Sequence, residues 1–228
     1  MRILALETST NLGTCALWID GLVVERRCPP GVSHSETLLP LVRDLLAEAD
    51  LRVADLDGIA FGAGPGAFTG LRVACAAAQG LALAVDVPVL PVVTLGALAL
   101  PGEAAQVLAL IDARMGEVYA AAYQRLPTGL SRCGEIRVSR PEEVTLPEGE
   151  WLARGNALAA YPALAARVSA LGWVMEADAM PGAEAVASLG AGMLQAGGGL
   201  DPALAAPLYI RDKVAQTVAE RLAAGGRA

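Results

Sequence analysis

Residues 62–72, Gly62-Ala63-Gly64-Pro65-Gly66-Ala67-Phe68-Thr69-Gly70-Leu71-Arg72, join an apolar run to an alanine-rich segment. Gly62, Gly64, Gly66 and Gly70 free the backbone for positive φ angles and for close approach to something bulky. Pro65 stiffens the middle of the turn, and Thr69 is placed to cap a helix beginning near Gly70. A helix start with unpaired N–H groups suits an anion, so a phosphate ligand is one reading of this elbow. The other is that the glycines only permit a tight strand-to-helix crossing. The spacing matches neither Gly-x-x-x-x-Gly-Lys-Ser/Thr nor an opening Gly-x-Gly-x-x-Gly, which counts against a P-loop or a dinucleotide site.

The length of 228 residues suits one large domain or two small ones. Only 4% of residues are aromatic against 54% hydrophobic, so the core must be built from Ala, Leu and Val. The net charge of −7 argues against a chain that grips nucleic acid alone, because neutralising phosphates takes a basic face. Any RNA role calls for a basic partner. Cys15, Cys28, Cys75 and Cys133 form no Cys-x-x-Cys pair, and the apolar run Ile3 to Leu6 stops at Glu7, so no signal peptide is expected. Buried free thiols in a reducing cytoplasm are the expectation. The stretch Val73 to Leu100 carries a single charge, Asp86, and passes the length threshold for a membrane span. Gly80, Pro88, Pro91 and Gly96 divide it into helix, strand and helix, which predicts the core of a soluble domain.

Three antiparallel strands open the chain: Ile3 to Thr8, Thr14 to Ile19, and Leu22 to about Arg27 after the Asp20-Gly21 turn. Ser33-x-x-Glu36 has capping-box spacing before a helical apolar stripe of Leu38, Leu41, Val42, Leu45 and Leu46, with Pro40 expected to kink it or mark its first turn. A strand at 56–61, the elbow, a helix from about Gly70 to Ala84, a strand at 87–93 and a short helix from Thr94 follow. The second half starts over, with a strand at 105–111 ending in Asp112, a turn near Arg114-Met115-Gly116 and a return at 118–123. A strand near 135–138, a short helix and loop at 141–149, a strand at 151–154 and helices at 157–168, 183–195 and 212–223 complete the expectation. Glu7 and Asp112 occupy matching places in two halves of one plan, a weak internal duplication. This predicts an α/β architecture of two lobes, 1–102 and 103–228, each a mixed sheet flanked by helices, with a cleft between them.

The runs Ile3-Leu4-Ala5-Leu6-Glu7-Thr8-Ser9-Thr10, His34-Ser35 with Leu38-Leu39-Pro40, and Gly64 to Arg72 resemble the TsaB (YeaZ) family. Ile111-Asp112-Ala113-Arg114 with Val118-Tyr119, and Pro207-Leu208-Tyr209-Ile210-Arg211, resemble it in the same order, so the likeness covers nearly the whole chain. The resemblance implies an actin-like (ASKHA, RNase H-like) two-lobed fold. It further implies an accessory subunit of the bacterial machinery that makes threonylcarbamoyladenosine beside the tRNA anticodon. Such a subunit pairs with its catalytic paralogue TsaD, works with the ATPase TsaE, and reaches tRNA only through the complex. Two departures stand out: Glu7 where the family more often has Asp, and Ala67 where it more often has Ser.

TsaD-like relatives hold a metal with a His-x-x-x-His pair, and this chain has one histidine, His34. The expectation is therefore no metal site, no cofactor and no catalytic residue of its own. His34 is read either as a general base or ligand, or as part of the helix start. Glu7 and Asp112 fall where ASKHA enzymes place carboxylates around phosphate and metal, so Glu7, Gly64, Gly66, Thr69 and Asp112 form a candidate nucleotide or anion site. On that alternative the chain is itself an ATPase or phosphotransferase. Arg114 is either structural or a partner contact, and Trp18, Trp151 and Trp173 are too dispersed in sequence for a stacking platform.

The helices carry the leading expectation. Small residues Ala74, Ala77, Ala78 and Gly80 on one helix, with Leu38, Leu41, Val42 and Leu45 on the other, offer a face for close helix packing. Either the chain's own sheet consumes both faces, or they dock a partner. The resemblance favours the second, since family members pair with TsaD through these two helices and self-pair as homodimers when it is absent.

Overall fold

A computed structural model describes residues 1–211; the helix expected at 212–223 lies outside the described residues. Two five-stranded sheets carry the fold. The first comprises β1 (Arg2–Glu7), β2 (Thr14–Ile19), β3 (Leu22–Arg27), β4 (Gly58–Gly64) and β5 (Val89–Val93), in the order β3-β2-β1-β4-β5. The second comprises β6 (Gln106–Arg114), β7 (Glu117–Leu126), β8 (Gly129–Ser139), β9 (Leu152–Arg154) and β10 (Val174–Glu176), in the order β10-β9-β6-β7-β8. In each, three antiparallel strands lead into parallel additions, so β6 repeats the part of β1 and the duplicated plan is realised. Asp20-Gly21 and Met115-Gly116 make the two-residue turns with positive φ that hairpins of this length demand.

Strand alternation decides which helix covers which face. Leu4 and Leu6 of β1 point to a core shared with Ile59, Phe61, α1 (His34–Glu48) and α2 (Phe68–Val85). Ile3 and Ala5 point the other way, onto α6 (Ala183–Gln195), where small residues let helix and sheet approach closely; a Cβ on Gly190 would meet that of Ala60 at 2.7 Å. So α6, from the second half of the sequence, packs on the first sheet. Helix α3 (Thr94–Ala99) lies against β6 and β7 as well as α6 and β4, and thereby joins the two sheets. The far face of the second sheet is covered by α4 (Ala157–Ala160) and α5 (Pro162–Ala170).

Three local expectations are corrected. The helix after the elbow starts at Phe68, with Ala67 at the cap position, and Thr69 is an exposed first-turn residue that caps nothing. The Ser33–Glu36 box does not form: the Ser33 hydroxyl pairs with that of Ser35 at 2.7 Å instead, and α1 runs through Pro40. The single helix expected at 157–168 breaks at Tyr161, because a residue before proline is driven out of the helical region. β10 has no alternating pattern, all three residues being exposed, and sequence reasoning gave no strand there. The apolar stretch 73–100 is divided into helix, strand and helix as expected; α2 has the length and composition of a membrane span, and its inner face, Ala74, Cys75, Ala78 and Ala82, is buried against the first sheet.

Candidate functional site

The glycine elbow is packed against the end of β1. A Cβ on Gly62 would lie 2.0 Å from Oε2 of Glu7, one on Gly66 would lie 2.5 Å from the Cβ of Ser9, and one on Gly70 would lie 1.8 Å from the Thr8 carbonyl oxygen. The Ala67 N–H donates to the Ser9 carbonyl at 2.7 Å, and the Gly64 N–H donates to the Thr94 hydroxyl at 3.1 Å. A fourth approach comes from the segment around residue 208: Leu208 donates its N–H to the Ala63 carbonyl at 2.7 Å, and its own carbonyl oxygen would lie 2.7 Å from a Cβ on Gly64. The close contacts that these glycines permit are therefore made by residues 7–9 and 208 of the same chain.

Glu7 is completely buried. Its Oε1 accepts the Ser9 N–H at 2.6 Å, while Oε2 has no hydrogen-bond partner among the described residues. Burial pushes its carboxyl above the ordinary value, partly offset by the hydrogen bond from Ser9. Asp112 sits at the matching end of β6 in a different setting. Its Oδ1 accepts from the Tyr161 hydroxyl at 2.7 Å and from the Arg114 N–H at 2.8 Å, and Oδ2 pairs with the Arg114 guanidinium at 3.2 Å. Burial, with the bond to Asp112, pushes the Tyr161 hydroxyl up to about 12. Both carboxylates are engaged by their own lobes, and Arg114 serves the β6–β7 turn. His34 is likewise held within the chain: its ring Nε2 lies 3.1 Å from the Thr10 carbonyl, and Nδ1 is buried near Gly13 and Cys28.

The cleft between the lobes at the elbow is small, about 170 Å3, and is lined by Gly66, Phe68 and Leu71 on one side and by Ala113, Met115 and Tyr119 on the other. Residues 205–211 run along α2 and across this cleft. Gln79 of α2 donates to the carbonyls of Pro202 and Ala205, both at 3.0 Å, and Arg211 pairs with Glu117 of β7. A larger cavity of about 600 Å3 opens on the second sheet among Ala122, Cys133, Ile136, Arg137 and Trp151. Trp151 and Trp173, distant in sequence, pack 6.4 Å apart beneath that sheet, with both indole N–H groups bonded to carbonyls of the 148–149 loop.

The residues nominated on the two helices differ in burial. Leu38, Val42, Leu45, Ala74 and Ala78 are buried in the chain's own core, and Leu41 and Ala77 are half-buried. What α1 and α2 leave open is a groove of about 540 Å3 whose lining includes Ser35, Leu39, Phe68, Val73, Ala76 and Ala77. Leu39 is 48% exposed and Phe68 37%, two large apolar side chains on neighbouring helices that share this groove. Of the nominated residues, Leu38 and Ala77 line this groove, while Leu41, Val42, Leu45, Ala74 and Ala78 pack in or against the core of the first sheet. Leu39, Phe68 and Ala76 also line the groove and were not among the nominated residues; the signal for them is a second apolar stripe beside the first, too wide for one core contact.

The protein-family model described as "TsaD: tRNA N6-adenosine threonylcarbamoyltransferase" matches residues 31–189. The Escherichia coli protein named "tRNA threonylcarbamoyladenosine biosynthesis protein TsaB" is 38% identical over 94% of this chain and 96% of its own. The Bacillus subtilis protein of the same name is 36% identical over 54% of this chain and 56% of its own. Among solved structures, YeaZ from Pseudomonas aeruginosa superposes with a TM-score of 0.82 at 35% identity, over 92% of this chain and 99% of that one.

Proposed function

The chain belongs to the TsaB (YeaZ) family, and on that premise we propose that it is a non-catalytic subunit for forming N6-threonylcarbamoyladenosine in tRNA. The observation that carries this reading is a likeness to a TsaB protein along almost the whole of both chains. Its partner is a TsaD-type transferase, and a TsaE-type ATPase joins the assembly in the cytoplasm. With a net charge of −7, the chain meets tRNA only through that complex. A single histidine rules out a His-x-x-x-His metal pair within it.

The work of such a subunit is assembly. The groove between α1 and α2 offers apolar surface on rigid elements already braced by the first sheet. Because the TsaD family model matches this chain, a TsaD-type partner presents a related helix pair, and two related faces pack about an approximate two-fold axis. The same geometry lets the chain pair with a second copy when the partner is absent. A stable pairing needs about 800 Å2 from each side, which the groove and its rims must supply together. The elbow's glycines, occupied by the chain's own residues 7–9 and 208, support this reading over a nucleotide-consuming one.

The test is threonylcarbamoyl transfer to tRNA by TsaD-type and TsaE-type proteins, with and without this chain, while light scattering follows complex formation. Transfer that requires the chain, with a complex of both subunits, is the expected result. Transfer that ignores it, or ATP turnover by the isolated chain, would overturn the reading.

A further inference from the structure

At the rim where the α1–α2 groove meets the cleft, three side chains from two distant segments form one cluster. The guanidinium of Arg72 lies 3.8 Å from the centroid of the Phe68 ring, one helical turn back. Tyr209, carried by the segment that crosses the cleft, sets its ring 5.6 Å from that of Phe68 and accepts a hydrogen bond from Arg72 Nε at 3.2 Å. All three remain exposed, Phe68 at 37% and Tyr209 at 45%. The two terminal nitrogens of Arg72 have no hydrogen-bond partner, and its charge no carboxylate, among the described residues.

We propose that Phe68, Arg72 and Tyr209 are the anchor at which the TsaD-type subunit is recognised, with Arg72 receiving a carboxylate from that partner; this rests on the subunit reading above. Arg, Tyr and other aromatic residues carry a disproportionate share of binding energy at interfaces. The cluster also has the property that makes such residues effective. Stacking on Phe68 and the bond to Tyr209 hold the guanidinium in one arrangement before association, so little side-chain freedom is lost when it binds. Its planar fork suits a carboxylate, and the groove beside it takes the apolar residues of the same helical face. Arg43, the exposed arginine of α1, differs in being paired already with Asp44 at 2.8 Å.

The experiment is titration calorimetry of the full chain with its TsaD-type partner at low and high salt, for the wild type and for Arg72→Ala, Arg72→Lys, Phe68→Ala and Arg43→Ala. Thermal melts accompany each, to separate binding from folding. Arg72→Ala and Phe68→Ala each raise Kd by roughly 30-fold or more, the size of a hot-spot truncation. Arg72→Lys recovers part of the loss, Arg43→Ala leaves Kd unchanged, and the Arg72→Ala penalty shrinks at high salt. Failure of the wild type to bind overturns the subunit reading and this inference with it. Wild-type binding that survives both Arg72→Ala and Phe68→Ala overturns the anchor alone. An Arg72→Ala penalty indifferent to salt overturns the carboxylate. Loss of self-pairing with partner binding intact assigns the cluster to a second copy and overturns the proposal.

Discussion

Thr8 and Gly70 lock the end of β1 to the first turn of α2: the Thr8 hydroxyl donates to the Gly70 carbonyl at 2.7 Å, and the Thr8 carbonyl oxygen fills the place where a Gly70 side chain would begin. Both residues are buried, and the obstacle to a methyl group is backbone, which cannot rotate away. Gly70→Ala therefore costs about 3 kcal/mol, the upper end of the overpacking range. At 2–4 °C per kcal/mol for a chain of this size, Tm falls by about 6–12 °C in a calorimetric scan. A melt unchanged from the wild type would mean that β1 and α2 are not held this tightly.

Gly80 gives the opposite sign on the same helix. A Cβ there meets nothing within 4 Å, the residue is exposed, and its backbone is helical. Gly80→Ala removes the entropic cost of ordering a glycine and stabilises by about 0.5–1 kcal/mol. Parallel urea titrations of the two variants should move their midpoints in opposite directions; a destabilised Gly80→Ala would show that the helix interior is not governed by propensity.

The buried carboxyl of Glu7 predicts a pH dependence. Its folded-state pKa is raised, chiefly by burial, so the folded chain keeps a proton that the unfolded chain releases. The stabilisation is complete below the ordinary carboxylate pKa of 4.5 and is lost as pH rises through the folded value. Glu7→Gln keeps a neutral group of the same shape and abolishes that slope, so its stability exceeds the wild type's increasingly as pH climbs from 4 towards 8. Denaturation midpoints across that range measure the difference. Two parallel profiles would show that Glu7 stays ionised in the fold.

These relationships divide according to how far along the chain the partners lie. The three opening strands, both hairpin turns and α6 at 183–195 were legible, because each rests on residues within a few positions of one another. The repetition of one plan in the two halves followed from two such patterns in series, whereas the strand order came only with the structure. What occupies the glycine elbow was not legible: periodicity marks Gly62, Gly66 and Gly70 as sites of close approach but not Glu7, Ser9 and Thr8 as what approaches. The start of α2 was misplaced because Ala67 offers no capping side chain and Thr69, two positions on, does. Trp151 and Trp173, or Phe68 and Tyr209, meet only through strand order and a crossing segment, which no local signal announces.

The same limit governs the proposed docking face. Apolar spacing identified α1 and α2 but could not say which of two adjacent stripes faces the sheet. Ala78 is completely buried against the first sheet, whereas Ala76, two residues earlier, is exposed and lines the groove. A glutamate at 78 must bring its charge into an apolar core or expel the helix, so Ala78→Glu unfolds the chain and says nothing about pairing. Ala76→Glu leaves the monomer within about 0.5 kcal/mol of the wild type, as surface substitutions do. It also sets an unpaired carboxylate in the middle of the groove, where association would have to desolvate it. The expected result is a monomer with native circular dichroism and unchanged Tm that no longer forms the complex in light scattering. A native Ala76→Glu variant that still binds its TsaD-type partner at wild-type affinity would place the interface on another face of the molecule.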